Sequence, residues 1–171
     1  MLYLHELEKV LTSLFLKMIT FRLHLPKDIA FRVKWLNNKK ATVFAIDDPE
    51  HVTTVAEQEK WFKDYEANSR KKFFTICDDD KPIGFMGLSN IDPAKKSASV
   101  FIMIGEDEYR GKGIGKISLQ YLINFAFQEL SLKMLTAEVN KLNAPSLNLN
   151  LSLGFQKTGE TEKEIEMVIR S

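Results

Sequence analysis

The spacing of apolar residues changes along this chain, and each change marks an element. Over residues 2–18, Leu4, Leu7, Leu11, Leu14 and Met18 recur at helical intervals, which predicts an amphipathic helix ahead of the main domain. Residues 21–25 alternate as a strand does, and Pro26 ends them. Residues 27–36 then read as a helix with Ile29, Val33 and Leu36 on one face, and 54–67 as a second helix carrying Val55, Trp61, Phe62 and Tyr65. In the middle the period falls to two. Residues 72–77 and 83–91 form a hairpin around the turn residues 78–81, and 97–104 is a further strand rich in Val, Phe and Ile. The longest helical pattern, 114–130, aligns Ile114, Ile117, Tyr121, Leu122, Phe125 and Ala126. A strand at 133–139, a short helix at 144–153 and a closing pair of strands at 155–158 and 164–169 complete the chain. Three consecutive strands between helical segments predict an α/β fold of the α+β type. Its sheet is mixed and mostly antiparallel, with helices on both faces, rather than a doubly wound parallel sheet.

Composition adds limits. At 171 residues, without repeats or a Pro/Gly/Ser-rich linker, the chain suits one domain at 20–171 with a helical extension at 1–19. Lys plus Arg is 24 and Asp plus Glu is 23, so no whole-molecule field attracts nucleic acid or an anionic membrane. The apolar run at 11–19 is interrupted by Lys17 and preceded by Glu6 and Glu8, unlike a signal peptide, and no stretch approaches the roughly 20 apolar residues of a membrane span. The single cysteine, Cys77, excludes an intrachain disulfide and suits a reducing, cytoplasmic setting. His5, His24 and His51 are scattered without metal-ligand spacing, so no metal is expected.

The segment Tyr109-Arg110-Gly111-Lys112-Gly113-Ile114-Gly115-Lys116 holds the clearest chemistry. Three alternate glycines join a strand to a helix, so backbone N–H groups can converge where no side chain intervenes, at the positive end of the helix dipole. Arg110, Lys112 and Lys116 add charge around such a pyrophosphate site. A P-loop would need Ser or Thr after Gly115-Lys116, where Ile117 stands. A dinucleotide fingerprint would need its third glycine three places after the second, whereas Gly113 and Gly115 are two apart. Taken alone, the loop is equally compatible with an ordinary strand-to-helix turn bearing solvated lysines.

Two motifs together go further. Arg110-Gly111-Lys112-Gly113-Ile114-Gly115 resembles the acetyl-CoA signature of the GNAT acetyltransferases, Arg/Gln-x-x-Gly-x-Gly/Ala. The stretch from Asn143 through Ser146 to Gly154-Phe155 resembles the family's second landmark, Asn-x-x-Ala/Ser followed by Gly-Phe. Trp35-Leu36-Asn37 and residues 58–62 resemble the branch related to ribosomal-protein and amino-sugar acetyltransferases. The resemblance implies a sheet splayed open between its fourth and fifth strands, here 97–104 and 133–139. It implies acetyl-CoA in the splay, with the pantetheine arm on backbone groups of Ile102, Met103 and Ile104 and the pyrophosphate on the amides from Gly111 to Lys116. Asn143 matches a position that helps hold the cofactor.

The implied reaction is acetyl transfer to a primary amine. An alkyl ammonium, with a pKa near 10.4, must lose a proton before it attacks. A backbone N–H at Met103 or Ile104 is the expected oxyanion donor. Glu138, on the strand facing the splay, matches a glutamate used by similar ribosomal N-terminal acetyltransferases and is the leading base; Glu106 is the weaker one. Many relatives carry a tyrosine acid four residues before Gly-Phe, where this chain has Asn150, so Ser146, Ser152 or a water stands in for it. Trp35, Trp61, Phe62 and Phe85 are core aromatics by default, and the two helices carrying Trp35 and Trp61 are expected to border the acceptor. A protein N-terminus, a polyamine, an amino sugar and an aminoglycoside all satisfy the amine requirement. The alternative is an acetyl-CoA-binding module with little or no turnover. The apolar stripe at 2–18 would suit a homodimer contact.

Overall fold

A computed structural model describes residues 18–44 and 51–171. The expected helix at 2–18 lies outside the described residues apart from its last position. Strand β1 (Ile19–Leu23) leads through a 3-10 turn, Pro26–Asp28, into helix α1 (Ile29–Leu36) and the short helix α2 (Lys39–Thr42). Helix α3 (Val55–Glu66) follows, started by Thr54, whose side chain and that of Glu57 cap each other's backbone N–H groups. Strands β2 (Lys72–Asp78), β3 (Lys81–Asp92) and β4 (Ser97–Ile104) form the central meander. Helix α4 (Ile114–Asn124), β5 (Met134–Asn140), α5 (Ala144–Ser152), β6 (Gln156–Glu160) and β7 (Glu164–Arg170) close the chain.

The seven strands form one sheet in the order β1-β2-β3-β4-β5-β7-β6. Only β4 and β5 run parallel, which meets the expectation of a mixed, mostly antiparallel sheet. Strand alternation sorts the side chains onto two faces. Phe74, Ile76, Met86, Leu88, Ala98, Val100, Leu135, Ala137 and Val139 bury one face under Ile114, Leu119 and Leu122 of α4 and Ala126 just beyond it. The opposite face is aromatic. Phe73 stacks on Trp61 and Tyr65 of α3 at 5.3 and 5.0 Å, and Phe85 stacks on Trp35 of α1 at 6.1 Å. Phe101 meets both Phe73 and Phe85 edge-on, at 4.8 and 6.0 Å.

Some elements differ from the periodicity. Strand β1 starts two residues earlier than expected because its partner β2 pairs with it from Asp78 back to Phe74. The long helix does not stay α-helical to residue 130: Phe125–Glu129 form a π turn, closed by the Leu130 N–H on the Phe125 carbonyl at 3.2 Å. Helix α2 carries no apolar periodicity and is set by Asn38, whose side chain accepts from the Lys40 N–H.

Candidate functional site

The β4–β5 ladder is short. Ser97, Ala98 and Ser99 pair with Met134, Leu135 and Thr136, and there the pairing stops, although both strands continue. At this crotch the Thr136 hydroxyl donates to Ser99 Oγ at 3.1 Å. On its other side β4 stays paired to β3 as far as Ile104 opposite Gly84. A Cβ on Gly84 would overlap the Met103 carbonyl oxygen, so glycine there lets the two backbones lie close. The β5-facing edge from Val100 to Ile104 is thus held straight by β3 and left without a strand partner. Phe101, Ile102, Met103 and Ile104 are all half-buried along it. Such an edge can accept an extended, amide-bearing ligand as an added strand.

The glycine-rich loop begins just past β4. Gly111 and Gly113 have φ of +73° and +82°, a left-handed conformation that favours glycine. Gly113 caps α4 without a side-chain hydrogen bond, so the first amides of the helix are open to a ligand. A Cβ at Gly111 would meet no atom within 4 Å, and Gly113 and Lys116 are exposed. This concave run of amides fits a pyrophosphate. Gly115 serves packing instead, because Leu149 of α5 would lie 3.3 Å from its Cβ. Arg110 ties the loop to the end of β4 and to α2. Its Nε donates to the Ile104 carbonyl at 3.2 Å, its Nη1 to the Lys40 carbonyl at 3.1 Å, and its Nη2 lies 3.2 Å from Asp107. Lys112 stands 5.5 Å from the Tyr109 ring.

Glu138 alternates with the core residues Ala137 and Val139, so it lies on the aromatic face of the sheet, exposed, two residues beyond the crotch. Opposite it in the ladder stands Glu166. Among the described residues Glu138 makes no hydrogen bond or ion pair. Glu106 differs. It is buried, accepts from Lys34 Nζ at 2.6 and 2.8 Å and from Trp35 Nε1 at 2.9 Å. Burial alone would raise its pKa, and these donors outweigh burial, so the carboxyl sits below its usual range. That makes Glu106 a brace between α1 and the end of β4 and a weak proton acceptor.

On α5, Asn143 is the N-cap, accepting from the Ser146 N–H at 3.2 Å. Asn150 is buried and donates to the Ser146 carbonyl at 2.9 Å, with its Oδ1 left unpartnered. Ser152 donates to the Leu149 carbonyl at 2.8 Å. Neither Asn150 nor Ser152 offers a proton to the splay. Cys77 is buried and burial raises its thiol pKa, as for an inert core residue. Trp35 is wholly buried and packs face-on against Gly105, whose Cβ would overlap the ring, so it is core rather than pocket lining.

Periodicity alone missed a polar group beneath α1 and α3. Arg32 is 9% exposed, with its guanidinium 3.8 Å from the Trp61 ring and 4.3 Å from that of Phe85, and its Nε donates to Gln58 at 2.6 Å. Nearby His24 hydrogen-bonds Thr75 at 2.8 Å, while the Thr75 hydroxyl donates to Asp28, which also holds Arg22 at 2.6 and 2.7 Å. The signal for Arg32 was present: it falls on the apolar stripe of Ile29, Val33 and Leu36, where a charge is out of place.

No described helix is long and apolar enough to cross a membrane. No group of three metal-ligating side chains occurs among the described residues.

Comparison with known proteins agrees with this geometry. A family model described as the acetyltransferase (GNAT) domain matches residues 19–156. An N-acetyltransferase 9-like protein of Nematostella vectensis is 27% identical over 150 residues, covering 87% of this chain and 66% of that protein. The spermidine N(1)-acetyltransferase of Escherichia coli K12 is 30% identical over 96 residues, 56% of this chain and 50% of that one. The chain thus spans half to two thirds of the length of these curated relatives. The spermidine N-acetyltransferase of Vibrio cholerae, solved with CoA and spermine, superposes with a TM-score of 0.81 at 21% identity, covering 90% of this chain and 96% of that one, a likeness of fold. These relatives do not single out the ribosomal-protein and amino-sugar branch. A domain match across most of the chain, with its two motifs on the loop and helix beside an open splay, makes this chain a member of the GNAT acetyltransferase domain family.

Proposed function

We propose that the chain transfers an acetyl group from acetyl-CoA to a primary amine in the splay between β4 and β5. The observation that carries this reading is the ladder that ends at Ser99 and Thr136 while both strands run on, beside a helix N-terminus with open amides. Backbone groups of Ile102, Met103 and Ile104 receive the pantetheine arm, and the amides from Gly111 to Gly115 receive the pyrophosphate beside the exposed Lys116 side chain, the Lys116 N–H itself being bound to the Gly113 carbonyl at 3.0 Å. Arg110 ties the loop to β4 and α2, and Asn143 holds the turn into α5. An amide at Met103 or Ile104 polarises the thioester carbonyl where the oxyanion develops. Glu138 takes the proton of the attacking ammonium, directly or through water.

Departure of the thiol needs no side-chain acid. A thiolate with a pKa near 8.5, by analogy with cysteine, leaves readily and takes its proton from water. With Asn150 bound to the Ser146 carbonyl, an acid at that position is absent. The acceptor is an amine; Trp35-Leu36-Asn37 and residues 58–62 support the branch with ribosomal-protein and amino-sugar acceptors, while the E. coli relative is named for spermidine.

A thermal melt with acetyl-CoA, against ATP and NAD as controls, tests the cleft. At about a hundred times the dissociation constant the expected gain is roughly 2.7 kcal/mol, a shift of several degrees for a chain of this size. No shift from a folded sample would sink the reading. A shift without release of CoA thiol across a panel of amines would instead identify a binding module.

A further inference from the structure

Arg32 is a buried cation without an anion. Among the described residues its one hydrogen-bond partner is the neutral Gln58, and Nη1 is buried with no partner at all. Burial pulls its pKa down to about 10, and no carboxylate pushes it back up. Stranding such a donor in an aromatic sandwich costs stability, since buried charges are otherwise paired. Its position gives the cost a purpose. Phe85, one wall of the sandwich, pairs in register with Met103 on the unpartnered edge of β4, one strand spacing or about 4.8 Å away. Phe101, the next residue along that face, touches Phe85, and Glu138 is its counterpart across the splay, since Ser99 and Thr136 are the last pair before both. The aromatic face therefore carries a carboxylate at the splay and an unpaired guanidinium behind it.

Resting on the acetyl-transfer reading above, we propose that Arg32 binds an anionic oxygen of the acceptor, so that the substrate is an amine bearing a carboxylate or phosphate. Gln58 orients the guanidinium through Nε, and the Trp61 and Phe85 rings fix its plane, leaving Nη2, the terminal nitrogen that is not buried, to donate. The ammonium end of such an acceptor lies toward Glu138. A wholly cationic polyamine would set a like charge against Arg32 and is disfavoured. The competing occupant is a water on the guanidinium, and it predicts no dependence on acceptor charge.

The test is CoA-thiol release with ω-amino carboxylates of graded length, each beside its n-alkylamine and α,ω-diamine, with O-phosphoethanolamine as the phosphate arm. The full chain is used, wild type and with Arg32→Met or Arg32→Lys. We expect kcat/KM at least tenfold higher for the carboxylate or phosphate arm than for the uncharged amine. Arg32→Met abolishes that preference, chiefly through acceptor KM, while the alkylamine changes less than threefold; Arg32→Lys retains part of it. Equal rates on all arms, a preference for diamines, equal losses on every arm with Arg32→Met, or no turnover of any anionic amine would overturn the assignment. If Arg32→Met does not fold, the wild-type series and Arg32→Lys decide. Thermal protection by acetyl-CoA, measured on the same samples, separates failure of this assignment from failure of the cleft itself.

Discussion

Two glutamates near the splay have opposite fates, and the difference lies in their neighbours. Glu138 is exposed with no described partner, whereas Glu106 is held by Lys34 and Trp35. Glu138→Gln should therefore lower kcat by about 10²- to 10⁴-fold, the range for a lost general base, with the KM for acetyl-CoA unchanged. Steady-state kinetics at saturating amine check this. Glu106→Gln should leave kcat within a few-fold and cost about 1–2 kcal/mol of stability instead, mostly through the buried bond from Trp35, since Lys34 is largely exposed. A denaturant melt that moves while kcat holds would confirm the assignment; the reverse pattern would exchange the two roles.

At the level of elements, the site depends on how closely α1 lies against the end of β4. Trp35 rests on the bare backbone of Gly105, and its indole N–H reaches Glu106 on the next residue. No larger residue fits at Gly105 without displacing the ring. Gly105→Ala should destabilise by about 1–3 kcal/mol through overpacking, visible as a lower melting temperature. Because the glycine loop follows directly, the same variant should weaken acetyl-CoA protection, whereas Gly159→Ala on β6, remote in sequence from the loop, should leave it unchanged. Helix α4 is fixed differently. Its first turn lacks a side-chain cap while its flank is buried under the sheet by Ile114, Leu119 and Leu122, so the proposed cofactor contacts would use a different side of the helix from core packing.

For the whole molecule, the buried group under α1 ties stability to pH. His24 is 3% exposed, and burial, with Arg32 nearby, lowers its pKa from 6.5 to about 4. In the unfolded chain it titrates near 6.5. Between those values the unfolded state binds more protons, so stability falls as the pH drops from 6.5 toward 4 and is flat with respect to this group above 6.5. The loss amounts to roughly 3 kcal/mol. Asp28, its pKa lowered by bonds from Arg22, Leu25 and Thr75 against the opposing effect of burial, adds a further loss below its ordinary range near 3.8. Melting temperatures from pH 8 to 4.5 should show the decline, and His24→Gln should flatten it between pH 6.5 and 4.5. An unchanged slope in that variant would assign the decline elsewhere.

Much of this was legible in the residues themselves. Local periodicity carries the element order, because a strand or a helix writes its own period into the chain. The glycine loop could be read for a similar reason: positive φ and open amides are local demands that only glycine meets cheaply, as Gly111 and Gly113 show. What tertiary structure alone decided is which groups are occupied. Sequence cannot state that the β4–β5 ladder ends at Thr136, because ladder length depends on the divergence of two strands 37 positions apart in register. Nor can it state that Glu106 is spent on a residue 71 positions earlier, that Arg110 is spent on backbone carbonyls of β4 and α2, or that Arg32 is buried without an acid. Periodicity is a property of neighbours along the chain, while hydrogen-bond partners and unpaired charges are properties of neighbours in space.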